Sequence, residues 1–327
     1  MFPFVPIYWL ITRIRNLLYD HHLLKSEQFN IPVICVGNLS TGGTGKTPMI
    51  EYLIRLIEPL KSTAVLSRGY KRHTKGFVLA KADSTVEDIG DEPFQFHSKF
   101  PTVTIAVDEQ RVRGIRKLMD RARPPKVVLL DDAFQHRQVK AGLNILLSSY
   151  QAPFYSGMVL PTGDLREPRA GYMRADIIII TKCPAGLSEN EKASIKKQIG
   201  PLDGQQVFFS TINYSRHIKN NQQTLALDSL GHFTLVTGIA NPQPLVQHLK
   251  RIGLSFEHLI FKDHHHFSDQ ELEELGKRAL IVTTEKDFAR LRENSALDQK
   301  RLFYLEIEFV LDRPDDFEAL ISKAIKQ

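Results

Sequence analysis

Short apolar runs alternate with amphipathic stretches along most of the chain. "IPVICVGN", "STAVLSRGY", "TVTIAVD", "KVVLLDDAF", "NILLSS" and "DIIIITK" are brief, apolar and often β-branched. That pattern predicts strands buried on both faces. Between them lie helical candidates, "PMIEYLIRLIEPL", "DEQRVRGIRKLMDRA" and "SENEKASIKKQI", the last opened by a capping box at Ser188 and Glu191. Strand and helix in alternation predict a parallel sheet with helices on both faces.

The rhythm pauses at "HIKNNQQTLALDSLGH", where polarity rises, and then resumes. "FTLVTGIA", "FEHLIF", "ALIVTTEKD" and "FYLEIEFVL" read as strands. Helices are expected after Asn241, after a Ser268/Glu271 cap, and from Pro314. The expected organisation is an N-terminal helix over 1–25, a core α/β domain over 26–222, and a smaller α/β domain over 223–327.

The first segment, "MFPFVPIYWLITRIRNLLYD", has twelve uncharged residues before Arg13. An ordinary membrane span needs about 20. It lacks the basic start and small-residue cleavage site of a signal peptide. Ile7, Leu10, Ile11, Ile14, Leu17 and Leu18 follow helical spacing, with Arg13, Asn16 and Asp20 on another face and Arg15 at its margin. Two readings fit: a helix lying in a membrane interface, or one packed on its own domain.

Composition narrows the field modestly. Of 327 residues, 42% are apolar and 24% charged, as in soluble globular proteins. Lys and Arg outnumber Asp and Glu by 43 to 37, a formal +6 that favours anionic partners without choosing among them. The two cysteines, Cys35 and Cys183, sit in separate apolar runs, which excludes a disulfide framework and suits a reducing compartment.

The chemistry concentrates after the first strand. "ICVGNLSTGGTGKTPMIEYLIRLI" places Gly42, Gly43, Thr44, Gly45, Lys46 and Thr47 between strand and helix, the context of a Walker A loop. Glycines let backbone N–H groups converge on phosphate oxygens, and the helix N-terminus adds positive potential. Lys46 would reach the β- and γ-phosphates and Thr47 a Mg²⁺ ion. The usual GxxxxGK[ST] pattern has glycine where this chain has Ser40, and partition-type ATPases have lysine where it has Thr41. "KVVLLDDAFQHR" supplies a Walker B candidate, with Asp131 and Asp132 as metal carboxylates. "TKCP" lacks the aspartate of the guanine-reading NKxD loop, so ATP is the expected nucleotide.

A phosphate loop alone does not name the acceptor. Arg68, Lys71 and Arg72 in "SRGYKR" follow a strand and are candidates for the phosphate loop's edge. Asp91 and Glu92 in "GDEP" are expected at a helix start, and Arg166 and Arg169 in the Gly/Pro loop "LPTGDLREPRAG" suit the grip of an anionic group. "FKDHHHF" has no matching Cys/His cluster elsewhere, which argues against structural zinc. The bland alternatives are an acidic helix start, favoured by the dipole, and solvated basic loops.

In order, "VGNLSTGGTGKTP", "LSRGYKR", "GDEP", "DDAFQHR", "LPTGDLREP", "RADIIIITK", "DHHHF" and "TTEKD" resemble the tetraacyldisaccharide 4′-kinase family of Gram-negative bacteria over nearly the whole chain. The resemblance implies a P-loop NTPase-type core that moves the ATP γ-phosphate to the 4′-hydroxyl of a tetraacylated glucosamine disaccharide 1-phosphate. It implies work at the cytosolic face of the inner membrane, peripherally or monotopically, with ATP and Mg²⁺ as cofactors. Its expected partners are the lipid substrate and an anionic membrane surface, with no nucleic acid and no obligate protein. By resemblance, Asp91, Lys46 and His264 are catalytic, and Arg68, Gln135, His136 and Arg166 line the substrate site. Glu285-Lys286-Asp287 falls in a family motif without a derivable task. Rival readings are another P-loop small-molecule kinase, or a nucleotide-driven switch or metal-insertion ATPase.

Overall fold

The computed structural model describes residues 5–263, 265, 267–292 and 294–326, with side chains from Tyr8 onward. The chain begins with α1 (Val5–Asp20), β1 (Val33–Asn38), α2 (Lys46–Ile57), β2 (Thr63–Ser67) and β3 (Val78–Leu79). Next come α3 (Val86–Ile89), α4 (Asp91–Lys99), β4 (Thr104–Val107), α5 (Arg111–Met119), β5 (Val127–Asp131) and β6 (Leu143–Ser149). Then follow β7 (Ile177–Thr181), α6 (Glu189–Ile199), β8 (Gln206–Lys219), β9 (Thr224–Ala226), β10 (Phe233–Thr237) and α7 (Gln243–Arg251). The chain finishes with β11 (Phe256–Ile260), α8 (Asp269–Gly276), β12 (Ile281–Thr284), α9 (Glu285–Leu291), β13 (Leu302–Leu311) and α10 (Pro314–Lys326).

Two compact units emerge, Met1–Ile212 with Phe309–Gln327, and Asn213–Glu308. In the first, the strand order is β3-β4-β2-β5-β1-β6-β7-β8, parallel throughout except for the edge strand β3. β1 lies centrally, with Val36 level with Asp131 of β5 and Asn38 with Leu147 of β6. Its alternate residues feed opposite cores: Ile34 and Val36 pack with α2, while Val33 and Cys35 pack with Ile115 and Leu118 of α5. In α2, Met49, Ile50, Leu53, Ile54 and Ile57 are wholly buried. At about 1.5–3 kcal/mol per buried side chain, this packing pins the loop that precedes the helix.

In the second unit β11, β10, β12 and β13 run parallel. Leu245, Val246 and Leu249 of α7 cover one face; Leu272, Leu275, Phe288 and Leu291 of α8 and α9 cover the other. Both expected capping boxes form, Ser188 with Glu191 and Ser268 with Glu271.

The observed division differs from the expected 222/223 boundary in two ways. The polar stretch there is the tip of an antiparallel β8–β9 hairpin, with Ile218 level with Leu225. And α10 does not stay with the smaller unit, because Phe317, Ile321 and Ile325 bury into the same cluster as α2.

α1 is packed on its own domain along one face. Its polar face is docked: Asn16 donates to Glu167 Oε2 (2.8 Å), Arg15 to Gln135 O (3.0 Å), and Arg137 pairs with Asp20 (2.6 Å). The apolar stripe of Leu10, Ile11, Ile14 and Leu17 is left 50, 60, 46 and 43% exposed. Among the described residues no helix is long and apolar enough to cross a membrane.

Candidate active site

β1, β2, β5 and β7 all end at the same edge of the first unit's parallel sheet, the edge where such sheets bind ligands. From β1 the chain turns through 39–45 into α2. Gly42 (φ +102°) and Gly45 (φ +86°, the residue capping α2) take left-handed conformations that L side chains rarely adopt. The end of β7 buttresses this loop: Thr181 Oγ1 donates to Thr44 O (2.8 Å) and Lys182 Nζ to Gly43 O (2.5 Å). Thr47 and Pro48 occupy the first turn of α2.

The absence of glycine at position 40 now has a reason. Ser40 pairs antiparallel with Leu165, Arg166 N–H donates to Leu39 O (2.7 Å), and Thr41 N–H donates to Asp164 O (2.6 Å). The "LPTGDLREP" segment lies along the first half of the phosphate loop as a strand would. Ser40 therefore stays out of the left-handed region where glycine would be needed.

The acidic pair is split in role by its surroundings. Asp131 ends β5, is buried, and accepts from Ser67 Oγ (3.0 Å). Burial, then the charges of Asp132 and Glu92, push its carboxyl up to about 6. Asp132 has a left-handed φ of +47°, uncommon outside glycine although Asp and Asn adopt it more readily than other residues. Both its oxygens meet Arg166 Nη1 at 3.0 Å, and Oδ1 lies 3.6 Å from Lys46 Nζ. Burial opposes ionisation of Asp132, but Lys46 and Arg166 outweigh it and hold the carboxyl below its ordinary value. Lys46 also lies 3.5 Å from Asn38 Oδ1.

Sequence reasoning missed Arg111. Only 1% exposed, it donates to Asp108 O (2.6 Å) and Asp131 O (3.2 Å) from the start of α5. Burial lowers it to about 10, so it stays cationic at neutral pH beneath the acidic pair. His136 is pushed down to about 4 by burial and by Arg111 and Arg68, and is a neutral imidazole. Gln135 donates to Asn38 O (2.7 Å) and Glu167 Oε1 (3.0 Å), and Arg174 pairs with the same Glu167 (2.7 Å). The Gln135 amide is thus a bracket between β1 and the Arg166 loop. Asn38, Glu167 and Lys182 lie inside the motifs quoted from the sequence, but nothing in their local spacing gave them a task.

Asp91 and Glu92 open α4, and two glycines place them. A Cβ on Gly90 (φ +90°) would stand 2.9 Å from Tyr70 O, and one on Gly69 (φ +69°) 2.9 Å from Ile89 O. The "SRGYKR" and "GDEP" turns therefore touch backbone to backbone, next to Ser67 and the acidic pair. Arg68 lines an open cavity of about 360 Å³ with residues 69–75 and Glu109.

In the second unit, His264 lies outside the described residues. His265 Nε2 meets the Glu271 carboxylate at 3.0–3.1 Å and stacks on Phe261, which makes it part of the α8 cap. Asp287, fully buried, accepts from Gly238 N–H (2.9 Å) and Thr284 Oγ1 (2.7 Å), tying the end of β10 to α9. Lys286 lies 3.7 Å from Asp263. The "TTEKD" motif thus braces the loop that carries the histidines.

A model of the family described as tetraacyldisaccharide-1-P 4′-kinase matches residues 1–326. The chain is 47% identical over 333 residues to a tetraacyldisaccharide 4′-kinase of Flavobacterium johnsoniae, covering all of this chain and 97% of the other. It is 43% identical over 353 residues to one from Bacteroides thetaiotaomicron, covering all of this chain and 93% of that one. Among solved structures, LpxK from Aquifex aeolicus in complex with ATP matches with a TM-score of 0.81 at 29% identity, covering 99% of this chain and 98% of that one.

Proposed function

The chain belongs to the tetraacyldisaccharide-1-phosphate 4′-kinase family, and from that premise we propose how its residues divide the work of the reaction. The enzyme transfers the γ-phosphate of ATP to the 4′-hydroxyl of a tetraacylated disaccharide 1-phosphate, yielding the 4′-phosphorylated lipid and ADP. A bond forms between the acceptor oxygen and the γ-phosphorus, the bond to the ADP oxygen breaks, and the hydroxyl proton leaves for a base.

The observation that carries this division is the Lys46–Asp132–Arg166 cluster beside a glycine loop at a helix start. Phosphoryl transfer proceeds through a loose transition state that needs alignment and charge neutralisation. The loop amides and Lys46 receive the phosphates. Asp132 holds Lys46 and Arg166 at the right distance, and Arg166 adds a planar donor for the transferring oxygens. Thr181 and Lys182 keep the loop in shape through the Thr44 and Gly43 carbonyls.

The donor set fits magnesium. Asp131 is a hard carboxylate oxygen oriented by Ser67, and the burial and neighbouring carboxylates that raise its pKa are what a bound cation would offset. With the Thr47 hydroxyl it would hold Mg²⁺, which when bound neutralises charge on the phosphate oxygens. Asp91 sits at the start of α4 and orients or deprotonates the acceptor hydroxyl. The exposed α1 stripe supports a peripheral seat on a membrane surface, from which a lipid acceptor is reached.

The test is transfer of labelled γ-phosphate to the tetraacyl disaccharide 1-phosphate in detergent micelles. Turnover that requires both Mg²⁺ and the lipid is expected. ATP hydrolysis indifferent to the lipid would favour a switch or metal-insertion ATPase instead.

A further inference from the structure

The second turn of α2 buries a carboxylate where an aliphatic side chain would pack. Its helix neighbours Ile50, Leu53 and Ile54 are wholly buried, and the side chain of Glu51 itself is only 4% exposed. Glu51 Oε1 accepts from Gln95 Nε2 (2.8 Å). Oε2 accepts from Lys99 Nζ (2.8 Å) and, at 3.3 Å, from Arg55 on its own helix. Gln95 and Lys99 both belong to α4. A buried ion pair adds little stability over well-packed apolar side chains, and what its directional bonds can supply is a fixed register between the elements they join.

The register matters because of what lies one turn away. α2 follows β1 and α4 leads into β4, and both strands belong to one parallel run of the sheet. Both helices therefore start at the edge where the phosphate loop lies. Residues four apart share a helix face. Thr47 thus precedes Glu51 on its face of α2, and Asp91 precedes Gln95 and Lys99 on theirs of α4. One turn toward the N-termini, about 5.4 Å, leads from the Glu51–Gln95 bond to Thr47 on one helix and Asp91 on the other. The two helices are held differently. Met49, Ile50, Leu53, Ile54 and Ile57 anchor α2 in the core, which α4 joins through Phe96. Apolar contact resists separation more than sliding along the axis, and the polar link opposes the sliding.

We infer that Glu51, with Gln95 and Lys99, is a positioning residue for the transfer: a strut that fixes how far along its axis α4 sits against α2, and so where Asp91 stands relative to the phosphate loop. This rests on the reading of Asp91 given above. Loss of the strut leaves the nucleotide side in place and misplaces the acceptor carboxylate.

The test replaces the whole network by apolar side chains of similar size, Glu51→Leu/Gln95→Leu/Lys99→Met, and measures transfer of labelled γ-phosphate to the lipid in micelles. Thermal unfolding should occur at or above the wild-type temperature, as for other buried ion pairs exchanged for apolar residues. kcat should nevertheless fall about 10- to 100-fold, the effect of a small misplacement of a reacting group, while the KM for ATP stays within about twofold. Glu51→Gln, which can still bond to both partners once the Gln95 amide turns over, should lose far less. In an Asp91→Ala background the triple replacement should change kcat by less than about twofold, because two changes that act through one group do not add. A folded triple variant with wild-type kcat overturns the strut, as does a loss repeated in full without Asp91, or one carried by the KM for ATP. Should the triple variant fail to fold, Gln95→Leu alone removes the bond nearest Asp91 and leaves Lys99 on Glu51; its kcat should fall about 10-fold, again only where Asp91 is present. Wild-type kcat in Gln95→Leu then overturns the strut. If Asp91→Ala by itself keeps wild-type kcat, the reading of Asp91 falls and this inference with it; if Asp91→Ala loses kcat and the strut variants do not, the strut alone falls.

Discussion

Lys46 rests between two acceptors at long range, 3.5 Å from Asn38 and 3.6 Å from Asp132. An ammonium held that loosely is free to move onto phosphate oxygens without breaking a short bond. Lys46→Ala should therefore lower kcat by about 10²-fold or more, as loss of a preorganised charge does; near wild-type transfer of labelled phosphate would refute its role. Asp91→Ala should lower kcat by roughly 10²- to 10⁴-fold while leaving the KM for ATP nearly unchanged, since an acceptor base acts chiefly in the transition state. An unchanged kcat would return Asp91 to a helix-start role. His136 gives a test of stability rather than rate. Its pKa is near 4 in the fold, below the ordinary histidine value, so between those pH values the unfolded chain binds the extra proton. Its contribution to stability is then full above about 6.5 and falls toward pH 4, by on the order of 2 kcal/mol. The urea midpoint should drop as pH is lowered from 7.5 to 5, and His136→Gln should flatten that slope. Lys46, Thr47, Asp131 and Asp132 were legible because phosphate chemistry demands them at fixed local spacing. Arg111 and Glu167 were not, because they act through Asp131 and Gln135, distant in sequence, and look like ordinary surface residues.

Two turns meet at Gly69 and Gly90, and that junction sets where α4 starts. Both glycines combine a left-handed φ with a backbone atom 2.9 Å from where a Cβ would be. Gly90→Ala should therefore cost at least about 1–3 kcal/mol from conformational strain alone. It should also lower kcat by displacing Asp91 and Glu92. Thermal unfolding together with kcat measures both effects, and an unshifted melting temperature would show that the turns yield easily. The strands of the first unit were legible for a plain reason: being buried on both faces, they are apolar throughout. The β8–β9 hairpin was not, because its alternating exposure reads as a loop when the partner strand is only three residues long. Nor was the return of α10, whose apolar stripe says that it packs but not on what. The covering of the phosphate loop by 164–166 was equally hidden, since backbone pairing of this kind leaves no trace in side-chain type.

At the scale of the whole molecule, α1 rests on the protein through Tyr8, Trp9, Asn16 and Tyr19 and leaves a stripe of aliphatic side chains outward. Asn16 and Arg15 are bonded to Glu167 and Gln135, so these residues are committed to the fold. Arg13, over the Trp9 ring, and the exposed Lys25 remain to meet an anionic surface, at about 1 kcal/mol each near the leaflet. The larger part must come from Leu10, Ile11, Ile14 and Leu17. Three of these side chains, each about half exposed, would contribute roughly 2–4 kcal/mol on entering the interface, taking half of the usual 1.5–3 kcal/mol per side chain. Leu10→Ser/Ile11→Ser/Ile14→Ser should thus weaken partitioning onto anionic vesicles by about 30- to 1,000-fold. Because the docked face is untouched, activity on acceptor dispersed in micelles should change far less than activity on acceptor held in vesicles. Flotation measures the first effect and paired assays the second. If the triple variant floated as well as wild type, the stripe would have no part in membrane attachment, and another surface would have to carry the enzyme to its lipid.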